Sequence, residues 1–131
     1  MKKILWTLQH NMLPEQKEEL EKQGKIYFLY EINPELFNQL SNTPPDVFKQ
    51  RELAHELYDI AQQYDMVVLP IGSPSFMFIF AKICERFKHN FEVLFAHSVR
   101  VTEEKVNEET GEVIKVNKFK HEKFISIHNY D

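Results

Sequence analysis

Residues 65–87 read DMVVLPIGSPSFMFIFAKICERF, and this stretch decides the fold. Asp65 to Ile71 is an apolar, β-branched run bounded by a charge and a glycine, the pattern of a buried parallel-type strand. Gly72, Ser73, Pro74 and Ser75 supply a turn. Phe76 to Phe87 then reads as a helix that is apolar on nearly every side. Such a helix has two faces to bury. Its own sheet covers one, and a second copy of the chain is a candidate for the other. In open α/β sheets the turn between strand and helix is where ligands bind, because helix N–H groups there point at an anion.

Upstream, Ile4 to Leu8 begins a strand, with Gln9, His10 and Asn11 at its C-terminal end. Pro14 opens a helix that runs to about Gln23 and stops at Gly24, with Glu15, Glu18 and Glu19 near the positive end of its dipole. Lys25 to Tyr30 is an aromatic and β-branched second strand. Asn33-Pro34 starts a turn, and Pro34 to Leu40 forms a short helix. Asp46 caps a longer helix reaching about Tyr64, whose inner face carries Leu53, Leu57, Ile60, Ala61 and Tyr64.

Downstream, Phe91 to Ala96 is a fourth strand, with His97 and Ser98 at its end. From Val99 onward, alternation around the turn NEETGE predicts a long β-hairpin, followed by a tail from His128 to Asp131. The order β-α-β-α-β-α-β plus a hairpin predicts an α/β, Rossmann-like fold. Its sheet is mostly parallel, has helices on both faces and carries a C-terminal β-hairpin. The whole chain, 1–131, forms one domain, with a core over 1–96 and the hairpin over 97–127.

Composition narrows the function classes. Apolar residues make up 43% and charged residues 27% of the 131 residues, ordinary values for a soluble domain with a sizeable core. A net charge of −4 implies no broad basic face for long nucleic acid, although a small anion needs only a local site. Cys84 is the only cysteine and lies inside an apolar helix, so it reads as packing and supports neither a disulfide framework nor a zinc cluster. The absence of HExxH, CxxC and close carboxylate clusters gives no support to a metal mechanism or a cofactor. Met1-Lys2-Lys3 is followed by too short an apolar run for a signal peptide, and the 66–81 run is broken by prolines and a glycine. The expectation is a cytoplasmic protein without membrane association.

Three strand ends carry polar groups, and parallel strands bring those ends to one edge. The first gives Gln9, His10 and Asn11; the third gives Gly72, Ser73 and Ser75; the fourth gives His97, Ser98 and Arg100. Hydroxyls and N–H groups at a helix start suit phosphate oxygens, and an Arg adds charge. The blander reading of GSPS is a helix cap needing no ligand. It is neither a P-loop nor a dinucleotide fingerprint. His10 is the catalytic candidate, since a strand-end imidazole can move protons near neutral pH. The last strand carries Lys115, Lys118, Lys120, His121 and Lys123. Alternation places Lys118, Lys120 and Glu122 on one face and Phe119, His121 and Lys123 on the other. Such a strand is either a charged edge that resists aggregation or a basic arm reaching over a phosphate-rich ligand.

The segments LQHNMLPEQ, SNTPPD, SVRVTEE and FKHEKF, in that order, resemble a small CRISPR-associated ring-nuclease family related to the CARF (CRISPR-associated Rossmann-fold) domains of type III systems. The likeness runs over nearly the whole chain, and no single motif in it is specific. It implies a homodimer that binds a cyclic oligoadenylate, foremost the tetra-adenylate ring, across its two-fold axis. It further implies metal-independent cleavage that switches off an antiviral second messenger. Carried onto this chain, the motif positions are Gln9, His10 and Asn11, then Ser98 and Arg100, then Phe119, Lys120 and His121. In that scheme His10 assists proton transfer, Asn11, Ser98 and Arg100 hold phosphate, and Lys120 and His121 close over the ring. Pro74 departs from the more open turn of CARF-like sites, which leaves the contacts of Ser73 and Ser75 open. Two other readings stand beside it: a module that sequesters the same ring uncut, and a structural α/β dimer with no nucleotide site.

Overall fold

Met66–Leu69, the central strand β3, is buried at all four positions, as a strand covered on both faces must be. The computed structural model describes residues 1–87 and 89–127; the tail from His128 onward lies outside the described residues. Around β3 the chain forms β1 (Lys2–Trp6), α1 (Pro14–Glu21), β2 (Gly24–Phe28), α2 (Leu29–Ile32), α3 (Pro34–Ser41) and α4 (Val47–Ala61). After β3 come α5 (Pro74–Arg86), β4 (Glu92–Val106) and β5 (Val113–Ser126). The strands form one sheet in the order β2-β1-β3-β4-β5. The first four are parallel and β5 is antiparallel to β4, so the fold is α/β with a mixed sheet.

Strand alternation splits the core in two. Leu5, Val67, Leu69 and Val93 face α3, α4 and α5, where Leu36, Leu53, Leu57, Phe76 and Phe80 close over them. Ile4, Trp6, Met66, Val68 and Leu94 face the other way, against Leu20 of α1 and Phe124 of β5. Helices therefore cover both faces of the sheet. Each fully buried ring such as Phe76 or Phe80 contributes about 1.5–3 kcal/mol relative to exposure.

Several element ends differ from the sequence reading. The second strand stops at Phe28, not Tyr30, because pairing with β1 is exhausted at Trp6↔Phe28 and Leu29 turns into a helical turn. α1 and α4 end two or three residues early, where Gln23, Gln63 and Tyr64 donate to carbonyls three residues back and tighten the last turn. Asp46 does cap α4, its carboxylate accepting the Phe48 N–H at 2.9 Å. The fourth strand does not stop at Ala96. It runs unbroken to Val106 and forms the first arm of the hairpin. The turn carries Gly111 at φ +71°, a conformation that favours glycine.

α5 is less buried than its sequence implies. Phe76, Phe80 and Ile83 are buried, while Phe78 is 65% exposed on the outer side. Cys84 is half-buried between these faces, and burial pushes its thiol up to about 11.

β5 contains the main departure from simple alternation. His97 pairs with Lys123 but Ser98 pairs with His121, so Glu122 is an extra residue, a β-bulge. The bulge returns Phe124, rather than Lys123, to the side occupied by His121. His121 and Phe124 thus both reach the α1 side, their rings 4.7 Å apart.

Candidate functional site

The chain passes from β1 to β2 on one side and to β3 on the other, so a crevice opens beyond the C-terminal ends of β1 and β3. Thr7, fully buried, donates its hydroxyl to the Val68 carbonyl at 2.5 Å and locks these two ends together. The loop that follows carries Gln9, His10 and Asn11. The Ser41 hydroxyl at the end of α3 hydrogen-bonds Gln9 Oε1, which ties the loop to the opposite side of the sheet.

A cleft of about 520 Å³ opens here. Gln9, His10 and Asn11 from the β1 end, Gly72 from the β3 end, and Ser98 and Phe119 from the hairpin base line it. The start of α1 closes one side. Gln16 Oε1 accepts the Leu13 N–H at 2.9 Å, the half of a capping box that a leucine at the cap position permits. A second depression of about 400 Å³ continues from Gln9 and Gly72 to Ser73 and the Ser41–Thr43 segment.

His10 is exposed, with its ring edge-on to Trp6 at 5.8 Å between centroids. Its Nδ1 lies 2.9 Å from the Asn11 carbonyl oxygen. A carbonyl only accepts, so Nδ1 carries the proton and Nε2 of the neutral ring holds a lone pair. Arg100 lies two pairs further along the arm, on the same face as Ser98, with its guanidinium 5.6 Å from the Phe119 ring centroid. Phe119 is 70% exposed, an aromatic surface with a cation over it at the cleft mouth.

Of the remaining candidates, Ser73 borders the second depression and the others fall elsewhere. Ser73 caps α5 by accepting the Phe76 N–H at 3.3 Å. Ser75 donates to Gln50 Oε1 at 2.8 Å, so the contact of 3.1 Å between the two serines is donated by Ser73. Both hydroxyl protons are therefore committed within the protein, and Ser75 lines the opposite, α4–α5 side. The capping reading of GSPS accounts for this turn. His97 is exposed on the face of β4 opposite Ala96 and Ser98, away from the cleft. Lys120 pairs with Val99 on that same opposite face. His121 is buried and donates Nε2–H to Glu19 Oε1 at 3.0 Å, so it braces α1 instead of reaching over the cleft. Lys120 and His121 thus point to opposite sides of β5 and do not close together over one ligand.

Sequence reasoning passed over Gln16 and Ser41 as site-forming residues, and it named Phe119 only as a motif position, without a role. A Gln three residues after the helix cap signalled the first. The exposure of Phe119 and the partner of Ser41 depend on tertiary pairing, which has no local signal. Among the described residues no three His, Cys, Asp or Glu side chains converge as a metal-binding group. No helix among them is long and apolar enough to cross a membrane.

No curated protein and no solved structure matches the chain. A family model, described as the Uncharacterized protein MJ1673 family, matches residues 2–125, nearly the full length over which the sheet, the cleft and the hairpin are built. The chain belongs to the MJ1673 family.

Proposed function

We propose that this chain is a Rossmann-like, CARF-like ring nuclease. It binds a cyclic oligoadenylate, the tetra-adenylate ring foremost, and cleaves it without a metal. The observation that carries the reading is the placement of His10, in a tautomer that leaves Nε2 a proton acceptor, in a strand-end cleft shared with Ser98 and Phe119. In this mechanism Nε2 takes the proton of a ribose 2′-hydroxyl. The 2′-oxygen bonds to the adjacent phosphorus, the bond from phosphorus to the 5′-oxygen breaks, and the imidazolium returns its proton to the departing oxygen. The product is a linear chain ending in a 2′,3′-cyclic phosphate. Arg100 and the Ser98 hydroxyl stabilise the phosphorane, and Phe119 offers a stacking face to an adenine.

A two-fold ring suits an isologous pair of chains. The hairpin offers the contact for a homodimer: Val106, Val113 and Ile114 near its tip are at least half exposed and have no core to join. Degrading such a messenger places the protein in the cytoplasm, as part of type III antiviral signalling.

One observation favours the sequestering module instead. Among the described residues His10 is the only imidazole in the cleft lining, and no second one there protonates the leaving oxygen. Incubation with cyclic tri-, tetra- and hexa-adenylate in EDTA, with chromatography of products, separates the readings. The nuclease converts one ring size to linear cyclic-phosphate products and loses this on His10→Ala substitution. An intact ring that co-elutes with the protein identifies a sequestering module. No binding of any ring removes the nucleotide reading altogether.

A further inference from the structure

A groove of about 740 Å³ runs between α4 and α5, larger than the cleft at the strand ends and on its own side of the sheet. Val47, Arg51 and His55, one turn apart, form the α4 wall. Phe78, Lys82 and Arg86, at the same spacing, form the α5 wall. The two stripes run along exposed helix faces that nothing else in the described chain covers. All the charged or titratable side chains that line the groove are basic, in a chain whose net charge is −4. Among the described residues Arg51, Lys82 and Arg86 make no ion pair with a carboxylate. Each sits over an aromatic ring instead: Lys82 4.8 Å from Phe78, Arg51 5.9 Å from Phe48 and Arg86 5.9 Å from Phe87.

We propose that this groove docks an amphipathic helix of a partner protein, one whose apolar seam is flanked by Asp and Glu. Its apolar anchors fill the space over Ile79 and Ile83, and its carboxylates meet the unpaired cations on both walls. The α4 wall from Val47 to His55 spans about 12 Å at the rise of an α-helix, the reach of anchors at i, i+4 and i+7. That length suits a helical segment better than a compact small molecule. Charge argues against a second copy seated here in a two-fold pair, because Arg51, Lys82 and Arg86 would meet their own equivalents. The inference stands apart from the nucleotide reading and survives its failure.

The test uses the full chain and a fluorescein-labelled designed helix of about 16 residues, roughly 24 Å long. It carries Leu at i, i+4, i+7 and i+11 with Glu on both flanks. Anisotropy is expected to show saturable binding that weakens about tenfold or more in the Lys82→Glu, Arg86→Glu double variant and in Phe78→Ser. These residues are exposed, so the variants retain the wild-type circular dichroism spectrum. The same peptide with Lys in place of Glu is expected to bind far more weakly. No saturable binding, equal binding of the Lys peptide, or affinity unchanged in the double variant would overturn the proposal. So would sedimentation in which Phe78→Ser alone dissociates self-associated wild-type chain, which makes this face an interface between copies. Displacement of the peptide by an adenylate oligonucleotide would overturn it too, reassigning the groove to nucleic acid.

Discussion

Glu19 of α1 accepts a hydrogen bond from His121 of β5 at 3.0 Å, across 102 residues of chain. Its second oxygen accepts the Phe124 N–H at 2.8 Å, a group presented just past the bulge. One carboxylate thus fastens the last strand to the first helix, with the His121 side chain almost fully buried and its Nδ1 atom without a partner. Glu19→Ala orphans two buried donors, and about 2–3 kcal/mol of stability is expected to be lost in urea unfolding. Glu19→Gln keeps one acceptor oxygen and is expected to lose less. Equal losses for the two variants would show that packing, not the hydrogen bonds, is what the residue contributes.

Gly24 begins β2 where the backbone of β1 passes closest. A Cβ there would lie 2.2 Å from the Lys2 carbonyl oxygen, a backbone atom that cannot swing aside. Gly24→Ala is expected to cost about 3 kcal/mol or more and to expose the β1–β2 amides to hydrogen exchange. Wild-type protection of the Ile26 and Phe28 amides in the variant would contradict this.

Gly72 is the opposite case. A Cβ there meets nothing within 4 Å, and its φ is not positive, so neither packing nor backbone demands a glycine. Gly72→Ala is expected to leave the melting temperature unchanged while weakening binding of a cyclic oligoadenylate in the cleft it lines. Unchanged affinity would place the ligand away from this strand end.

Much of this architecture was readable along the chain. The apolar run at Met66–Leu69, the cap at Asp46 and the glycine of the NEETGE turn each carry their signal within a few residues. What stayed hidden depends on partners. β2 ends where β1 ends, a limit set by the neighbouring strand rather than by Leu29 and Tyr30. The bulge at Glu122 is a property of the β4–β5 pair, so alternation counted along β5 alone put Lys123 where Phe124 belongs. Ser75 looked available until Gln50, from a different helix, took its proton. Gln9, His10, Asn11 and Ser98 were brought together because strand ends converge by topology, which sequence order does reveal.

Phe119 is mostly exposed, and its removal leaves the core untouched. Phe119→Ala is expected to reduce affinity for an adenylate ring by about 1–3 kcal/mol, the range of one stacked base, with no change in urea midpoint. Isothermal titration of the wild type and variant measures this. No difference would remove Phe119 from the ligand surface.

Cys84 is held as a neutral thiol, its pKa pushed from an ordinary 9.0 to about 11 by burial. Iodoacetamide at pH 8 is expected to label the folded chain far more slowly than the chain in urea. The folded state retains this proton longer than the unfolded state does. The associated stability is therefore complete below about pH 9 and is lost as pH rises toward 11. Burial, with the nearby Tyr27 in second place, raises the Tyr64 hydroxyl above its ordinary 10, so its contribution too is lost only as pH rises past that value. Fast labelling of the native chain would show that α5 opens readily.

The fourth strand continues from the core into the arm without a loop to act as a joint. From Ser98 to Val106 that arm extends roughly 26 Å at the rise of a β-strand. It behaves as a lever, stiffened by its pairing with β5 and notched at one place, the bulge between His97 and Ser98. A push at the tip is therefore delivered to the notch, where Ser98 borders the cleft. Contact at the far end of the hairpin is therefore expected to alter the shape of the pocket at its root.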